Sequence, residues 1–341
     1  MKTLKLALTL LSIGGLACAE TPVDAATPSP ARASAATIVS SQAVEGGIAV
    51  TRESATQGSS TTVLPAPTNL ALLGIPDPER SLQVGLATRT YIPYVGRAAK
   101  GGAPAPLVFV HHGFTMSAQV MADLTTWKNI ADREGLIIAF ANGNTDLGGL
   151  SAPWNVGFPV CGVGTLVSNP GQDDLGFVDA MIADVKTLHP VDDERIYTNG
   201  FSMGGYFTNQ IGCQRSKLLR GIAPHSGGAS LDLCPAYEPL PVLVLHGDAD
   251  PLIDYNCGVD AKELWRQRNG CSDTIERTET VLGGKCEYYA GCKAAVGMCT
   301  FSGMGHGWAG AVGLGLPFDY AGGIQYANAA ELIWKFWQDN P

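Results

Sequence analysis

Residues 195–206 have the sequence Arg-Ile-Tyr-Thr-Asn-Gly-Phe-Ser-Met-Gly-Gly-Tyr. A β-prone run at 196–198 leads to a serine bracketed by glycines, and a helix-compatible segment follows at 206–214. This is the G-x-S-x-G pattern of a strand that turns abruptly into a helix, where Cβ atoms beside the serine would have no room. The pattern predicts that the Oγ atom of Ser202 stands exposed above the edge of a sheet as a candidate nucleophile.

Strand and helix patterns alternate on both sides of this turn. Apolar or β-prone runs predict strands at 88–94, 106–111, 136–141, 196–198, 221–225 and 241–246, with a cysteine-bearing β region at 278–301. Helical patterns lie at 118–134, 173–188, 206–214, 259–268 and 323–338. The alternation predicts the α/β class, with a mostly parallel, doubly wound sheet and helices on both faces.

Three of the predicted strands end in residues suited to chemistry. The strand at 106–111 is followed by His112-Gly113-Phe114, the strand before the turn by Ser202, and the strand at 241–246 by the stretch 246–250, His-Gly-Asp-Ala-Asp. Ligands of open parallel sheets bind outside the carboxyl ends of the strands. The glycine-flanked His306 comes later in a loop, so the sequence predicts a site at this edge of the sheet.

The order serine, aspartate, histidine along the chain is that of a hydrolytic triad. A serine hydroxyl needs a neutral imidazole to accept its proton, and His306 is the candidate base. Asp250 is the candidate acid, which would fix the tautomer of the base and stabilise its imidazolium form. Asp248 and Asp254 are the alternatives, and we favour Asp250 because the residue after H-G-x-x lies at the strand-end turn.

The remaining site residues follow from the same chemistry. A tetrahedral oxyanion needs two N–H donors, and the backbone amides of Phe114 and Met203 are the candidates. Trp154 and Trp308 either line an acyl pocket or cover the core. We expect no metal, because the chain has no C-x-x-C pair and its histidines at 111–112 lack an acidic partner, and no cofactor.

The N-terminal part of the chain predicts export. Residues 1–19 combine two lysines, an apolar segment and a small-residue end, as in a signal peptide that is too short for a membrane span. Lipidation of Cys18 is the alternative to cleavage after Ala19. Residues 20–64 are rich in Ala, Ser, Thr, Pro and Gly and predict a flexible low-complexity linker, which leaves 65–341 as the catalytic domain.

The net charge limits the kinds of partner that we expect, and the cysteine content indicates the cellular compartment. The net charge of −9 argues against nucleic acid or an anionic membrane as a partner. The chain has nine cysteines, and eight follow the leader. An even number in an exported chain predicts up to four disulfides, with the pairing left open.

Taken together, the motifs resemble the secreted feruloyl esterases and polyhydroxybutyrate depolymerase-like esterases, namely carbohydrate esterase family 1 and the LpqC-like group. The matching stretches are Thr88-Arg-Thr-Tyr91, Pro106-Leu-Val-Phe-Val-His-His-Gly113, Trp154-Asn-Val-Gly157 with Cys161, Asp173-Asp-Leu-Gly-Phe-Val178, Arg195-Ile-Tyr197 with Gly200-Phe-Ser-Met-Gly-Gly205, His246-Gly-Asp-Ala-Asp250 and Gly303-Met-Gly-His-Gly-Trp308. The resemblance implies an α/β-hydrolase fold and a secreted serine carboxylesterase with the triad Ser202, Asp250 and His306. For many members it also implies release of ferulate and related hydroxycinnamates from plant cell-wall arabinoxylan.

The chain departs from the family pattern at two positions. Phe114 stands where the family often has cysteine or glycine, and Trp308 is followed by Ala-Gly rather than Pro-Gly. The expected partner is an ester on plant cell-wall polysaccharide or a small aryl ester. Polyhydroxybutyrate-type depolymerase and acetylxylan esterase are the alternative activities, and a secreted binding protein on a hydrolase scaffold is the non-enzymatic alternative.

Overall fold

The structure is a computed structural model. It describes residues 37–44, 47–54, 58–64, 78–144, 154–156, 161–162, 171–229, 234, 238–313 and 320–341. The predicted signal peptide at 1–19 lies outside the described residues.

Strands and helices alternate through most of the described chain. The strands are β1 Thr37–Val44, β2 Gly47–Ser54, β3 Gly58–Leu64, β4 Arg80–Val84, β5 Ala87–Val95, β6 Ala105–His111, β7 Ile137–Ala141, β8 Val191–Phe201, β9 Gly221–His225, β10 Val242–Gly247, β11 Ile275–Val281, β12 Gly284–Tyr289, β13 Val296–Phe301, β14 Trp308–Ala309 and β15 Ala321–Gly323. The α-helices are α1 Ala118–Leu124, α2 Trp127–Glu134, α3 Asp174–Leu188, α4 Met203–Gln214, α5 Tyr255–Arg268 and α6 Ala329–Asp339.

The main sheet has ten strands in the order β11-β12-β13-β10-β9-β8-β6-β7-β5-β4. The six central strands, from β13 to β7, are parallel to one another. Antiparallel strands complete the sheet at both edges. The prediction of an α/β fold with a mostly parallel sheet is therefore confirmed.

Helices cover both faces of this sheet. Successive side chains of a strand point to opposite faces, so each central strand contributes residues to two cores. On β6, Val108 and Val110 belong to the core beneath α1, α2 and α6. Leu107 and Phe109 belong to the core beneath α3 and α4. Every residue of β6 is buried, as the unbroken apolar run predicts for a strand covered on both sides.

The predicted helix at 118–134 is two helices, α1 and α2. Thr125 has an extended backbone, with φ −97° and ψ 156°, and its N–H group donates to the carbonyl of Met121. Two consecutive β-branched residues, Thr125 and Thr126, disfavour helix at this point. The predicted end of the segment is confirmed, since Gly135 adopts a left-handed conformation with φ 77°.

The last helix begins later than predicted. Helix α6 starts at Ala329, where the side chain of Asn328 accepts the N–H of Glu331 and caps the helix. The predicted start at 323 was wrong because 321–323 form the short strand β15, which pairs with β14.

Part of the predicted linker has regular structure. Strands β1, β2 and β3 form a three-stranded antiparallel sheet within residues 20–64. Short runs rich in Val, Ile, Thr and Ser have β propensity that the overall composition of this segment conceals. The division of the chain into linker and catalytic domain remains a prediction.

The eight cysteines that follow the leader form four disulfides, as their even number predicts. The pairs are Cys161–Cys257, Cys213–Cys234, Cys271–Cys292 and Cys286–Cys299. The first pair joins residues 96 apart and anchors residue 161 to the first turn of α5. Among the helices that the structure describes, none has the length and apolarity needed to span a membrane.

Candidate active site

The turn between β8 and α4 holds Ser202 in a strained conformation. Its backbone has φ 55° and ψ −119°, which a residue with a side chain rarely adopts. The N–H of Ser202 donates to the carbonyl of His225 at 2.9 Å, and its own carbonyl accepts the N–H groups of Gly205 and Tyr206. These three hydrogen bonds tie the strained residue to β9 and to the first turn of α4.

The glycines around Ser202 are required by close approach of the backbone. A Cβ atom on Gly204 would overlap the carbonyl oxygen of His111, and one on Gly200 would overlap the carbonyl of Gly204. The helix can therefore begin directly against the end of β6 only if these positions lack side chains, as the motif predicts.

The structure brings Asp250 and His306 together. Nδ1 of His306 lies 2.7 Å from Oδ2 of Asp250, and Oδ1 accepts the backbone N–H groups of Leu252 and Ile253, each at 2.9 Å. Because a carboxylate only accepts, Nδ1 of His306 carries the hydrogen and Nε2 is left with a lone pair. This is the tautomer that a general base needs.

The environment keeps Asp250 ionised. Burial by itself would raise the pKa of Asp250, but the N–H groups of His246, His306 and Ile253 outweigh burial and hold the pKa well below its usual range. The side chain is fully buried, so its charge acts on His306 with little screening by water.

The two alternative acids have other partners. Oδ1 of Asp248 accepts the N–H of Gly303 at 2.6 Å. Asp254 caps helix α5, because its side chain accepts the N–H of Asn256 at 2.8 Å. Of the three aspartates, Asp250 is the one that contacts the imidazole of His306.

Ser202 and His306 border the same cavity, which has a volume of about 320 Å³. The ring of Phe201, just before the serine, lies 4.9 Å from the imidazole of His306. The described residues that line the cavity are Gly113, Phe114, Thr115, Met116, Phe201, Ser202, Met203, Leu252, Ile253, His306 and Tyr320. The cavity thus joins the three strand ends that the sequence predicts to converge, and its lining is mainly apolar.

Both candidate oxyanion donors belong to residues that line this cavity. Met203 is the first residue of α4, and the first N–H groups of a helix have no partner within the helix. Phe114 is 39% exposed and follows Gly113, where an added Cβ atom would lie 3.1 Å from the Cβ atom of Ser202. The oxyanion role of the two amides remains a prediction.

The two tryptophans cover the core rather than the cavity. Trp154 is fully buried, stacks on Phe207 and donates its indole N–H to the carbonyl of His112. Trp308 is 1% exposed and stacks on His225. Neither is among the described residues that line the cavity, so a direct acyl-pocket role for them is not supported.

The histidine pair at the end of β6 shapes the loop after it. His112 Nε2 accepts the N–H of Gly143 at 2.8 Å, so its Nδ1 carries the hydrogen and donates to the carbonyl of Gly113 at 2.7 Å. His111 Nε2 lies 3.0 Å from the hydroxyl of Thr198. Among the described residues, no cluster of His, Cys, Asp and Glu could hold a metal ion.

Burial makes these histidines difficult to protonate. Burial, with a smaller contribution from His112, lowers the pKa of His111 to about 3. Burial also lowers the pKa of His112 to about 4, against the opposing effect of its bond to Gly113. The pKa of His225 is lowered for the same reason, with contributions from His246 and His306.

Acid should therefore destabilise the fold. A buried histidine with a lowered pKa contributes its full stability above the unfolded pKa of about 6.5, and that contribution is lost as the pH falls toward the folded pKa. For His111 and His112 this window extends from about pH 6.5 down to about 3 and 4. We expect each to reduce the free energy of unfolding by about 2 kcal/mol between pH 7 and pH 5, measured by urea denaturation.

His111→Gln provides the control, because its amide can still donate to Thr198 but does not titrate. Its loss of stability between pH 7 and pH 5 should be smaller than that of the unmodified chain by about 2 kcal/mol. Equal losses in the two proteins would contradict the buried-histidine account.

Some residues of the cavity were missed from the sequence. Leu252 and Ile253 follow Asp250 after one intervening proline, and their position in the loop after β10 is the signal that could have found them. Tyr320, whose hydroxyl lies 2.7 Å from that of Thr115, is 14 positions beyond His306 and has no local motif. Its carbonyl accepts the N–H of Trp308 next to the pairing of β14 with β15, which brings it to the site.

The chain has the α/β-hydrolase fold. The phospholipase/carboxylesterase family model matches residues 166–281. Acetyl xylan esterase from Aspergillus awamori has a similar structure, with a TM-score of 0.56 and 12% identity, over 76% of this chain and 98% of that chain. At this identity the likeness shows the fold alone.

Several curated relatives are named feruloyl esterases. Feruloyl esterase B of Piromyces equi is 31% identical over an alignment of 228 positions, which covers 60% of this chain and 40% of the relative. Probable feruloyl esterase C of Aspergillus niger is 27% identical over 68% of this chain and 77% of the relative. A bifunctional acetylxylan esterase/xylanase of Neocallimastix patriciarum is 28% identical over 44% of this chain and 20% of the relative. The chain thus spans less than half of the length of the first and third of these proteins.

Proposed function

We propose that this protein is a serine carboxylesterase with Ser202 as nucleophile, His306 as base and Asp250 as acid. The observation that supports this most is the 2.7 Å contact between His306 and Asp250 beside the cavity that Ser202 borders. That contact leaves Nε2 of His306, a residue that lines the same cavity, as an acceptor for a hydroxyl proton.

The reaction follows from these roles. His306 takes the proton of Ser202 as Oγ attacks the ester carbonyl, and the buried carboxylate of Asp250 stabilises the imidazolium that forms. The amides of Met203 and Phe114 donate to the oxyanion, and the alcohol leaves with the proton from His306. Water then repeats the sequence on the acyl-enzyme and releases the acid.

The substrate class that we propose is the feruloyl or related aryl ester. Its support is twofold: the relatives from Piromyces and Aspergillus carry that name, and the cavity beside Ser202 is bounded by apolar side chains such as Phe114 and Leu252. An apolar pocket favours an aromatic acyl group over acetate, since it gains stability in proportion to the apolar surface that is buried.

Acetylxylan esterase is the second candidate, because the relative from Neocallimastix carries that activity in its name. Polyhydroxybutyrate-type depolymerase remains an alternative from the family resemblance. We also propose an extracellular location for the protein, which four disulfides support, since disulfides persist in oxidising compartments. Lipidation of Cys18 remains the alternative to simple secretion.

A comparison of soluble and polymeric substrates tests the proposal. We expect methyl ferulate to be hydrolysed with a kcat/KM at least about tenfold above that of methyl acetate, because roughly 1.4 kcal/mol of extra apolar burial is enough for that ratio. Acetylated xylan and polyhydroxybutyrate are assayed beside it. A higher rate on acetylated xylan would favour the second candidate, and failure of a fluorophosphonate to label Ser202 would favour a non-enzymatic protein.

A further inference from the structure

A second histidine contacts the acid of the candidate triad. His246, near the end of β10, is fully buried, and its Nε2 lies 3.0 Å from the carbonyl of Ile253 and 3.5 Å from Oδ2 of Asp250. Both neighbouring atoms are acceptors, so Nε2 must carry the hydrogen. The N–H donates to the carbonyl of Ile253, and the carboxylate oxygen that also faces His306 lies 3.5 Å from the same nitrogen.

The other ring nitrogen of His246 has no partner among the described residues. A buried acceptor without a donor destabilises the fold, and an apolar side chain of similar size would avoid this cost. Helix α5 also places a glycine against this nitrogen, since a Cβ atom on Gly258 would lie 2.5 Å from Nδ1. Stability alone favours neither a buried histidine with one unpaired ring nitrogen nor a glycine within a helix. Together these two features place one N–H beside Asp250.

The carboxylate of Asp250 is surrounded by N–H groups. Oδ1 accepts two backbone amides, while Oδ2 faces the ring N–H groups of His306 and His246. The other titratable groups that act on Asp250 or on its histidine partners are His225 on β9, Tyr206 on α4 and Tyr255 on α5. Among these groups, His246 is the one besides His306 whose ring nitrogen lies within 3.5 Å of Oδ2.

We propose that His246 is a positioning residue for the hydrolytic reaction, which shares Oδ2 of Asp250 with His306 and fixes the carboxylate in the plane that His306 requires. The inference rests on the proposed function. His246 also has a second effect. Its N–H beside Oδ2 disperses the negative charge of Asp250, and this weakens the attraction between Asp250 and the imidazolium form of His306. Loss of that N–H would therefore strengthen the contact between Asp250 and the imidazolium form of His306.

Two variants of His246 separate this role from simple packing. His246→Leu fills the space without a donor, and His246→Gln keeps an amide N–H near the position of Nε2. For His246→Leu we expect kcat on methyl ferulate to fall about 10- to 100-fold with little change in KM. We expect the acid limb of its pH–rate profile to move up by about half a pH unit or more. His246→Gln should restore most of the lost kcat and return the acid limb close to its position in the unmodified enzyme.

Asn269→Leu is the matched control for stability. Asn269 is buried at the other end of α5 and donates to the carbonyls of Leu240 and Ala294, so its loss should lower the thermal midpoint without moving the acid limb. If His246→Leu keeps the acid limb of the unmodified enzyme, the proposal is overturned.

Should His246→Leu fail to fold, His246→Asn takes its place, because the shorter amide does not reach Asp250. An acid limb in His246→Asn that coincides with that of His246→Gln would equally overturn the proposal. Absence of hydrolysis by the unmodified protein would instead overturn the proposed function, so the two failures are distinguishable.

Discussion

Ser202→Ala is expected to lower kcat for methyl ferulate by about 10⁵- to 10⁶-fold, the size of effect seen when a serine nucleophile is removed from a triad. Without Oγ no acyl-enzyme can form, while the oxyanion amides and the apolar cavity remain. The strained backbone at φ 55° should also relax more readily with the smaller side chain, so the fold is expected to survive. Steady-state kinetics and thermal unfolding of the same preparation measure both outcomes.

Ser216→Ala is the matched control for this result. Ser216 is also buried, and its hydroxyl accepts the N–H of Glu238, but it lies after α4 and does not line the cavity. We expect its kcat to stay within about threefold of the unmodified value, because surface or structural changes away from a site act on stability rather than on rate. Retention of full activity by Ser202→Ala would refute the role of this serine.

Much of the fold can be predicted from the sequence, because a strand that is buried on both faces of the sheet has a long run of apolar residues. The runs at 106–111 and 241–246 predict β6 and β10 to within about a residue, and the run at 221–225 predicts β9. Intrinsic helix propensity does not predict an element boundary that is set by tertiary contacts. Asn328 rather than the apolar period sets the start of α6, and the break at Thr125 divides a segment whose period is continuous.

The site could be predicted to the extent that its chemistry is local. Glycines mark the turn at Ser202, where they permit close backbone approach, and glycines also flank His306 in its loop. The H-G-x-x pattern favours one of three aspartates. The acyl side of the cavity is different. Tyr320 reaches it only through strand pairing, and Trp154 is drawn into the core by stacking on Phe207, which no residue spacing encodes.

Asp250→Asn is expected to lower kcat on methyl ferulate by about 10⁴-fold, as loss of the triad acid does when it forces the wrong tautomer. The amide oxygen must occupy the Oδ1 position, because two backbone N–H groups donate there. The NH₂ group then faces Nδ1 of His306, which has to accept, so the hydrogen moves to Nε2 and the base is lost. The same NH₂ group opposes the N–H of His246, and we expect a lower thermal midpoint as well.

The neighbouring acids supply the controls for this prediction. Asp254→Asn should leave kcat within about threefold, because asparagine caps a helix as well as aspartate does. Asp248→Asn should also have a far smaller effect than Asp250→Asn, since its oxygen can still accept the N–H of Gly303. If kcat fell as far in Asp254→Asn or Asp248→Asn as in Asp250→Asn, that aspartate would be assigned as the acid of the triad instead. With both controls active, the loss in Asp250→Asn would isolate the carboxylate charge next to His306 as the cause.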